Sequence, residues 1–235
     1  MRTLLRLASP IVALLCGCST QLGPVRCASA DNCAQGTYCS VAGFCADPAR
    51  CAGDSSTGCA VIAPTGLAAV GEQHQISLSW STVGGATSYV VRRAIHSGGP
   101  YSDAATLPES GLVDQGLSAA TSYFYLVHAV GPGGPGADSA EASGLTVPDA
   151  PAHLTASGGA GAISLSWDPS PGVAGYRILR AGADGVFAKL INTESPSTSY
   201  VDGGLGPGAS WSYAVLALNA SGASGPSPVA SATTQ

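Results

Sequence analysis

Residues 76–80 read Ile-Ser-Leu-Ser-Trp, and residues 163–167 repeat this segment letter for letter. Tyr89 recurs as Tyr176 at the same offset of 87 residues. Self-similarity at a fixed period indicates a repeat architecture, and it must be recognised before a single-domain interpretation is tried. We therefore predict two copies of one unit, which together occupy the chain from about residue 60 onwards.

Both copies alternate apolar and polar residues with a period of two, which is typical of half-buried β-strands. In the first copy, Ile76, Leu78 and Trp80 alternate with serines. The 235 residues include 32 glycines and 16 prolines, and only 10% of the residues are charged. Short strands separated by Gly, Pro and Ser turns indicate a sandwich or barrel rather than long helices. The predicted fold class is all-β.

The two copies resemble fibronectin type III domains, whose strands are labelled A to G. The matching residues are Ala63-Pro64 before strand A, Trp80 and Trp167 on strand B, Tyr89 and Tyr176 on strand C, and two Val-Asp-x-Gly-Leu segments before strand F. The resemblance implies two tandem immunoglobulin-like β-sandwiches, at residues 62–147 and 148–235. It is specific for the fold and says little about function.

Six aromatic residues form the predicted core signature: Trp80, Tyr89, Tyr123, Trp167, Tyr176 and Trp211. Aromatic side chains of this size bury on the order of 200 Å² each and dominate such cores. The resemblance implies a tyrosine corner at Tyr123, where a phenol bonds back to nearby backbone. The second copy has Trp211 at this position, and we expect a tyrosine to be tolerated there.

The N-terminus has the pattern of an export signal, with two arginines followed by a short apolar stretch at residues 7–15. This stretch is far shorter than the ~20 apolar residues of a membrane-spanning helix. The segment Leu-Cys-Gly-Cys that ends at Cys18 resembles the lipobox of bacterial lipoproteins. The resemblance implies a signal peptide of residues 1–17 and a lipid on Cys18. Ordinary cleavage after residues 28–30 is the alternative.

The expected location is the bacterial outer membrane, on its periplasmic or external side, because Ser19 rather than Asp follows the modified cysteine. The next part, residues 18–61, is a predicted disulfide-stapled module with six closely spaced cysteines: Cys27, Cys33, Cys39, Cys45, Cys51 and Cys59. Zinc needs close ligand pairs such as C-x2-C, and the module has none. It resembles the short cysteine-rich modules of bacterial surface lipoproteins, and a spacer role is favoured over a binding role.

Polar motifs that could carry chemistry have simpler explanations in this chain. Asp114 and Asp202 lack carboxylate neighbours that would complete a calcium site, so we expect them to cap turns. The glycines at 131, 133 and 136 match a dinucleotide fingerprint by letters, but no helix pattern follows. We predict a loop between the last two strands there. We expect no enzymatic activity, no cofactor and no catalytic or metal-binding residues.

The outward face of strands C and F is the predicted partner surface. It consists of apolar residues, namely Val90, Phe124, Leu126, Val130, Leu179, Leu216 and Leu218, with Ala214 beside them. Contiguous exposed apolar residues often mark interaction sites. Packing against the neighbouring module or a loop is the alternative. We expect Tyr101 and Phe187 to fold onto the core rather than form sugar-binding platforms.

The predicted function is that of a non-enzymatic surface lipoprotein in adhesion, scaffolding or protein display. Its partners would be the membrane, through the lipid, and a cell-envelope or extracellular protein. The alternative is a carbohydrate-binding protein or an accessory of extracellular polysaccharide-degrading enzymes, since residues 98–101 resemble type III domains beside such enzymes. Nucleic acid is not expected as a partner, because the formal charge is −5 and no basic cluster occurs.

Overall fold

The computed structural model describes residues 38–39, 45–46 and 61–235. Two short strands, β1 (Tyr38–Cys39) and β2 (Cys45–Ala46), pair antiparallel, with Cys39 opposite Cys45. The predicted signal peptide, the lipid on Cys18 and the predicted disulfides lie outside what the structure describes. Within the described ranges, no helix is long and apolar enough to cross a membrane.

The first copy forms two antiparallel sheets. The three-stranded sheet has the order β3-β4-β7, with β3 (Ala68–Glu72), β4 (Gln75–Ser79) and β7 (Gly111–Gln115). The larger sheet has the order β10-β8-β5-β6, and β9 also pairs with β8. Its strands are β5 (Ser88–Ala94), β6 (Ser102–Leu107), β8 (Ser122–Gly131), β9 (Gly134–Asp138) and β10 (Ala142–Leu145).

The second copy repeats this arrangement. Its three-stranded sheet has the order β11-β12-β15, with β11 (Thr155–Gly159), β12 (Ala162–Ser166) and β15 (Ser199–Gly203). Its larger sheet has the order β14-β13-β16-β17, and β18 also pairs with β16. The strands are β13 (Gly175–Ala181), β14 (Ala188–Asn192), β16 (Ser210–Asn219), β17 (Gly222–Ala223) and β18 (Ala230–Thr233).

Strands β5 and β13 occupy the C position of the fibronectin type III topology, and β8 and β16 occupy the F position. The predicted fold class is therefore confirmed: the chain is all-β, with tandem immunoglobulin-like sandwiches. Residues 131–136 form a hairpin between β8 and β9, in which Gly134 has a φ of 97°. A positive φ of this size suits glycine, so the glycine pattern serves a turn rather than a nucleotide.

By its contacts the chain divides into two compact units. The described residues of the first are 38–39, 45–46, 61–64, 82–89 and 128–138. There Gly136 lies against Val61, where a Cβ would come within 2.3 Å of the Val61 carbonyl oxygen. The second unit consists of residues 65–81, 90–127 and 139–235. It therefore contains both three-stranded sheets and all the strands of the second sandwich.

The alternating pattern of the repeated segment explains its burial. In the second sandwich, Trp167 is 4% exposed and Tyr176 is fully buried, and their rings meet edge to face with centroids 5.3 Å apart. Their cluster also includes Ile163 and Leu165 of β12, the strand that Trp167 directly follows. Trp80 in the first copy is 6% exposed. The repeated Ile-Ser-Leu-Ser-Trp segment is thus a core strand, and its apolar residues are unavailable for recognition.

Candidate functional site

Asp114 lies buried in strand β7 and is bonded to two long-range partners. Arg93 Nη1 donates to both of its carboxylate oxygens at 2.9 Å, and the Tyr125 hydroxyl donates to it at 2.8 Å. The second copy repeats the cluster, because Asp202 accepts from Arg180 Nη1 at 3.2 and 3.0 Å and from the Tyr213 hydroxyl at 2.6 Å. We call each set an Arg–Asp–Tyr cluster.

The expectation that Asp114 and Asp202 cap turns was wrong. Each lies within a strand, and its hydrogen bonds come from side chains on other strands rather than from turn backbone. Burial, reinforced by the hydrogen bond to the carboxylate, raises the pKa of both Tyr125 and Tyr213. The phenols therefore remain protonated donors. The described ranges contain no group of three or more His, Cys, Asp or Glu residues that could hold a metal ion.

The Arg–Asp–Tyr clusters were missed by the sequence analysis, although the repeat contained their signal. Arg93 recurs as Arg180 and Tyr125 as Tyr213, at the same offsets as the aromatic core residues. Buried charges are found where they are paired and hydrogen-bonded. A charged pair retained by both copies inside an apolar alternation therefore indicates a buried ion pair.

The tyrosine corner is present in the first copy, where the Ser118 amide donates to the Tyr123 hydroxyl at 3.0 Å. In the second copy, Trp211 makes a different contact. The Arg180 guanidinium lies 4.4 Å from its ring centroid, close enough for a cation–π interaction. Its Nε1 is buried and has no hydrogen-bond partner among the described residues. Trp211 therefore replaces a backbone hydrogen bond with stacking on the arginine of the cluster.

The predicted partner face is only partly accessible. Its seven residues are all half-buried: Val90, Phe124, Leu126, Val130, Leu179, Leu216 and Leu218. Ala214, which we expected to point outward with them, is 3% exposed, so this expectation was wrong. Phe187 was expected to fold onto the core, and it is instead 38% exposed. It immediately precedes β14 in the loop between strands β13 and β14, where apolar packing is incomplete.

In the first copy, the loop between β5 and β6 is tied down by Glu141, which immediately precedes β10. The Glu141 carboxylate accepts from the Ser97 hydroxyl at 2.7 Å, from the Gly98 amide at 2.8 Å and from the Tyr101 hydroxyl. These hydrogen bonds hold the pKa of Glu141 below its usual value, and the Gly98 amide has a larger effect than either hydroxyl. We call this set of three hydrogen bonds the loop latch.

The second copy lacks the loop latch. Ala142 pairs with Tyr125 in the first copy, and Ala230 pairs with the equivalent Tyr213 in the second. The residue before Ala230, Val229, therefore occupies the position of Glu141, the residue before Ala142. Phe187, which immediately precedes β14, occupies the position of Tyr101, which immediately precedes β6. Unlike the tyrosine, Phe187 has no hydroxyl. Val229 is 58% exposed. Neither replacement can form the polar contacts of the first copy.

An open pocket of about 450 Å³ lies beside this unlatched loop. Its lining includes Arg180, Asp184, Val186, Lys189, Leu190 and Trp211. The Asp184 carboxylate accepts from the Val186 amide at 3.1 Å, which shapes the turn at the pocket edge. Charged and apolar side chains therefore line it together, and small-molecule sites combine apolar surface with a few polar groups. This pocket is the candidate functional site.

Known proteins similar to this chain include an exoglucanase and two amylopullulanases. No protein-family model matches it. Exoglucanase B of Cellulomonas fimi is 31% identical over 218 residues, which is 83% of this chain and 19% of that protein. Amylopullulanases of Thermoanaerobacterium saccharolyticum and Thermoanaerobacterium thermosulfurigenes are each 32% identical over 75 residues. These matches cover 32% of this chain and 6% and 4% of the two enzymes. The chain therefore spans less than a fifth of the length of these relatives.

Two solved structures are among those similar to the chain. A Fn3-like protein from Clostridium thermocellum is 39% identical, with a TM-score of 0.36, and the match covers 37% of this chain and 94% of that one. A two-domain fibronectin type III segment of chicken tenascin is 19% identical, with a TM-score of 0.44, and the match covers 73% and 99% of the two chains. The strand order observed in both copies is that of tandem immunoglobulin-like sandwiches.

Proposed function

We propose that this chain is a non-catalytic accessory protein that associates with extracellular polysaccharide. The observation that carries the proposal is the match to an exoglucanase over 83% of this chain but only 19% of the enzyme. The two amylopullulanases also match over small parts of their length. Because type III sandwiches serve many functions, the fold alone does not select this one.

The hydrogen bonds to the two buried carboxylates support the non-catalytic part of the proposal. Asp114 and Asp202 each accept bonds from an arginine and a tyrosine, so their charges are committed to the interior of the sandwich. A general base must be within hydrogen-bond reach of the proton it removes. Both carboxylates are buried and hydrogen-bonded inside the sandwich, so neither is placed to act as a general base.

Export and anchoring complete the proposal. A lipid on Cys18 would hold the chain at the outer membrane, and the module of six cysteines would act as a stapled spacer. The two sandwiches would then be presented to polysaccharide at a short distance from the membrane. Mass spectrometry of the mature N-terminus tests the anchor, and a cleavage site after residues 28–30 would contradict it.

Sedimentation with insoluble polysaccharide tests the binding function. The full chain is mixed with microcrystalline cellulose or granular starch, and the protein that pellets is measured against a polysaccharide-free control. We expect enrichment on at least one of the two and no release of reducing sugar. A chain that stays in solution with both would contradict the proposal, and sugar release would contradict its non-catalytic part.

A second candidate function is adhesion, scaffolding or display through the C and F strand face. The supporting observation is that its seven apolar residues are half-buried and keep part of their surface accessible. The test compares capture of envelope proteins by the wild-type chain and by a variant with Phe124→Asp and Leu216→Asp. Equal capture by both would remove this face as a binding surface.

A further inference from the structure

We propose that the open pocket beside Trp211 binds a ring of a neutral oligosaccharide. This inference rests on the proposed association with polysaccharide and assigns it to one site. The pocket, of about 450 Å³, lies within the range of about 300 to 1,000 Å³ typical of ligand pockets. Its apolar lining residues are Trp211, Val186 and Leu190, against which the C–H groups of a sugar ring can pack; one face of the Trp211 ring is already covered by the Arg180 guanidinium.

The polar residues of the pocket match the hydroxyl groups of a sugar. Lys189 and Arg180 supply N–H donors, and Asp184 supplies acceptor oxygens. Arg180 is held in place, because Nη1 is bonded to Asp202 and the guanidinium stacks on Trp211. A sugar hydroxyl both donates and accepts, so it can bond to the carboxylate and to either cation. Hydrogen bonds with one charged partner are the stronger kind.

Charge favours a neutral sugar over an acidic one. The pocket has two cations and one carboxylate, and Arg180 is already paired with Asp202. Residues 61–235 contain eleven acidic and five basic residues, so the surrounding field is negative. A uronate or sulfated ring would be repelled by this field and by Asp184. A neutral ring avoids both repulsions.

The loop latch explains why the first copy has no part in this site. There Glu141 holds the equivalent loop through Ser97, Gly98 and Tyr101. In the second copy, Phe187 and Val229 occupy the corresponding positions, and the loop borders an open pocket. Binding is therefore assigned to the second sandwich alone. Installing a latch there is expected to close the pocket without changing its lining.

Calorimetry with maltohexaose and cellohexaose tests the assignment on the full chain. Lys189→Ala is expected to weaken binding about tenfold, the effect of losing one charge-assisted hydrogen bond. The double variant Phe187→Tyr with Val229→Glu, which copies the first sandwich, is expected to abolish binding. Arg177→Ala removes one positive charge from the neighbouring strand β13, outside the pocket, and it should bind like wild type. The two sugars distinguish an α-linked from a β-linked glucan.

The outcomes separate this inference from the proposed function. If the wild-type chain sediments with polysaccharide but Lys189→Ala and the latch variant bind hexaoses normally, the assignment of binding to this pocket is contradicted and the proposed function stands. If wild type neither sediments nor binds either hexaose, both are overturned. Thermal melts of every variant detect unfolding. Asp184→Asn, which keeps the side-chain shape and one acceptor oxygen but removes the charge, provides a second test: unchanged affinity in a folded variant would contradict a charge-assisted hydrogen bond to this carboxylate.

Discussion

The two sandwiches have the same buried clusters but different loops between the C strand and the next strand. Both copies keep the Arg–Asp–Tyr cluster with nearly the same distances. The first copy has the loop latch at Glu141, whereas the second has the open pocket beside Trp211. A buried charge that loses its partner is costly, whereas an exposed loop contact is replaced at little cost. The interior of the repeat is therefore retained, and its surface is free to acquire a separate role.

The largest effects are expected in the shared core. Trp80→Ala and Trp167→Ala should each lower the free energy of unfolding of their own sandwich by about 3 to 5 kcal/mol, since each removes a large buried aromatic. Denaturant unfolding followed by circular dichroism measures this. If both variants alter one common transition equally, the two sandwiches do not unfold as separate domains, and the comparison between them fails.

The Arg–Asp–Tyr clusters are expected to come next. Asp114→Ala or Asp202→Ala should lower the free energy of unfolding by about 2 to 3 kcal/mol, because a partly buried arginine and a tyrosine hydroxyl lose their acceptor. Tyr125→Phe should cost about 1 kcal/mol, because a single hydrogen bond is removed. Chemical denaturation at neutral pH measures both. Equal effects of the Asp and Tyr variants would show that the ion pair contributes nothing to the free energy of unfolding.

The aromatic position at the F strand should respond differently in the two copies. Trp211→Tyr is expected to change stability by less than about 1 kcal/mol, since its Nε1 has no bonded partner to lose among the described residues. Tyr123→Phe removes the acceptor of the Ser118 amide and should cost about 1 kcal/mol. Melting temperatures of both variants provide the measurement. A larger loss for Trp211→Tyr would indicate that stacking on Arg180 matters more than the corner bond.

The smallest effect concerns pH and the loop latch. The pKa of Glu141 is lowered in the folded chain. The contribution of Glu141 to stability is therefore fully present above the ordinary pKa of a glutamate and is lost as pH falls through the lowered pKa. The Gly98 amide resonance should therefore shift on acidification in step with the Glu141 carboxyl, to which this amide donates. Two-dimensional NMR measures this resonance. In Glu141→Gln, the Gly98 shift should disappear, and its persistence would assign the titration to another group.

The sequence was sufficient for the fold but not for the roles of its charged residues. The period-2 alternation around Trp80 and Trp167 depends only on neighbouring residues, so strand and core were predicted correctly. Asp114 was misassigned because its partners, Arg93 and Tyr125, lie on other strands, 21 and 11 residues away along the chain. Phe187 was misassigned because its exposure depends on the path of the loop before β14, which local sequence does not specify.

By itself, the sequence determined that the chain contains two copies of one all-β unit, since a repeated alternation admits few other folds. The tertiary structure alone decided which loop is closed and which is open. That outcome depends on pairing register, which places Glu141 beside one loop and Val229 beside the other. Register brings together residues about 40 positions apart, such as Tyr101 and Glu141. Local sequence patterns do not contain such long-range pairings, and the candidate sugar site depends on them.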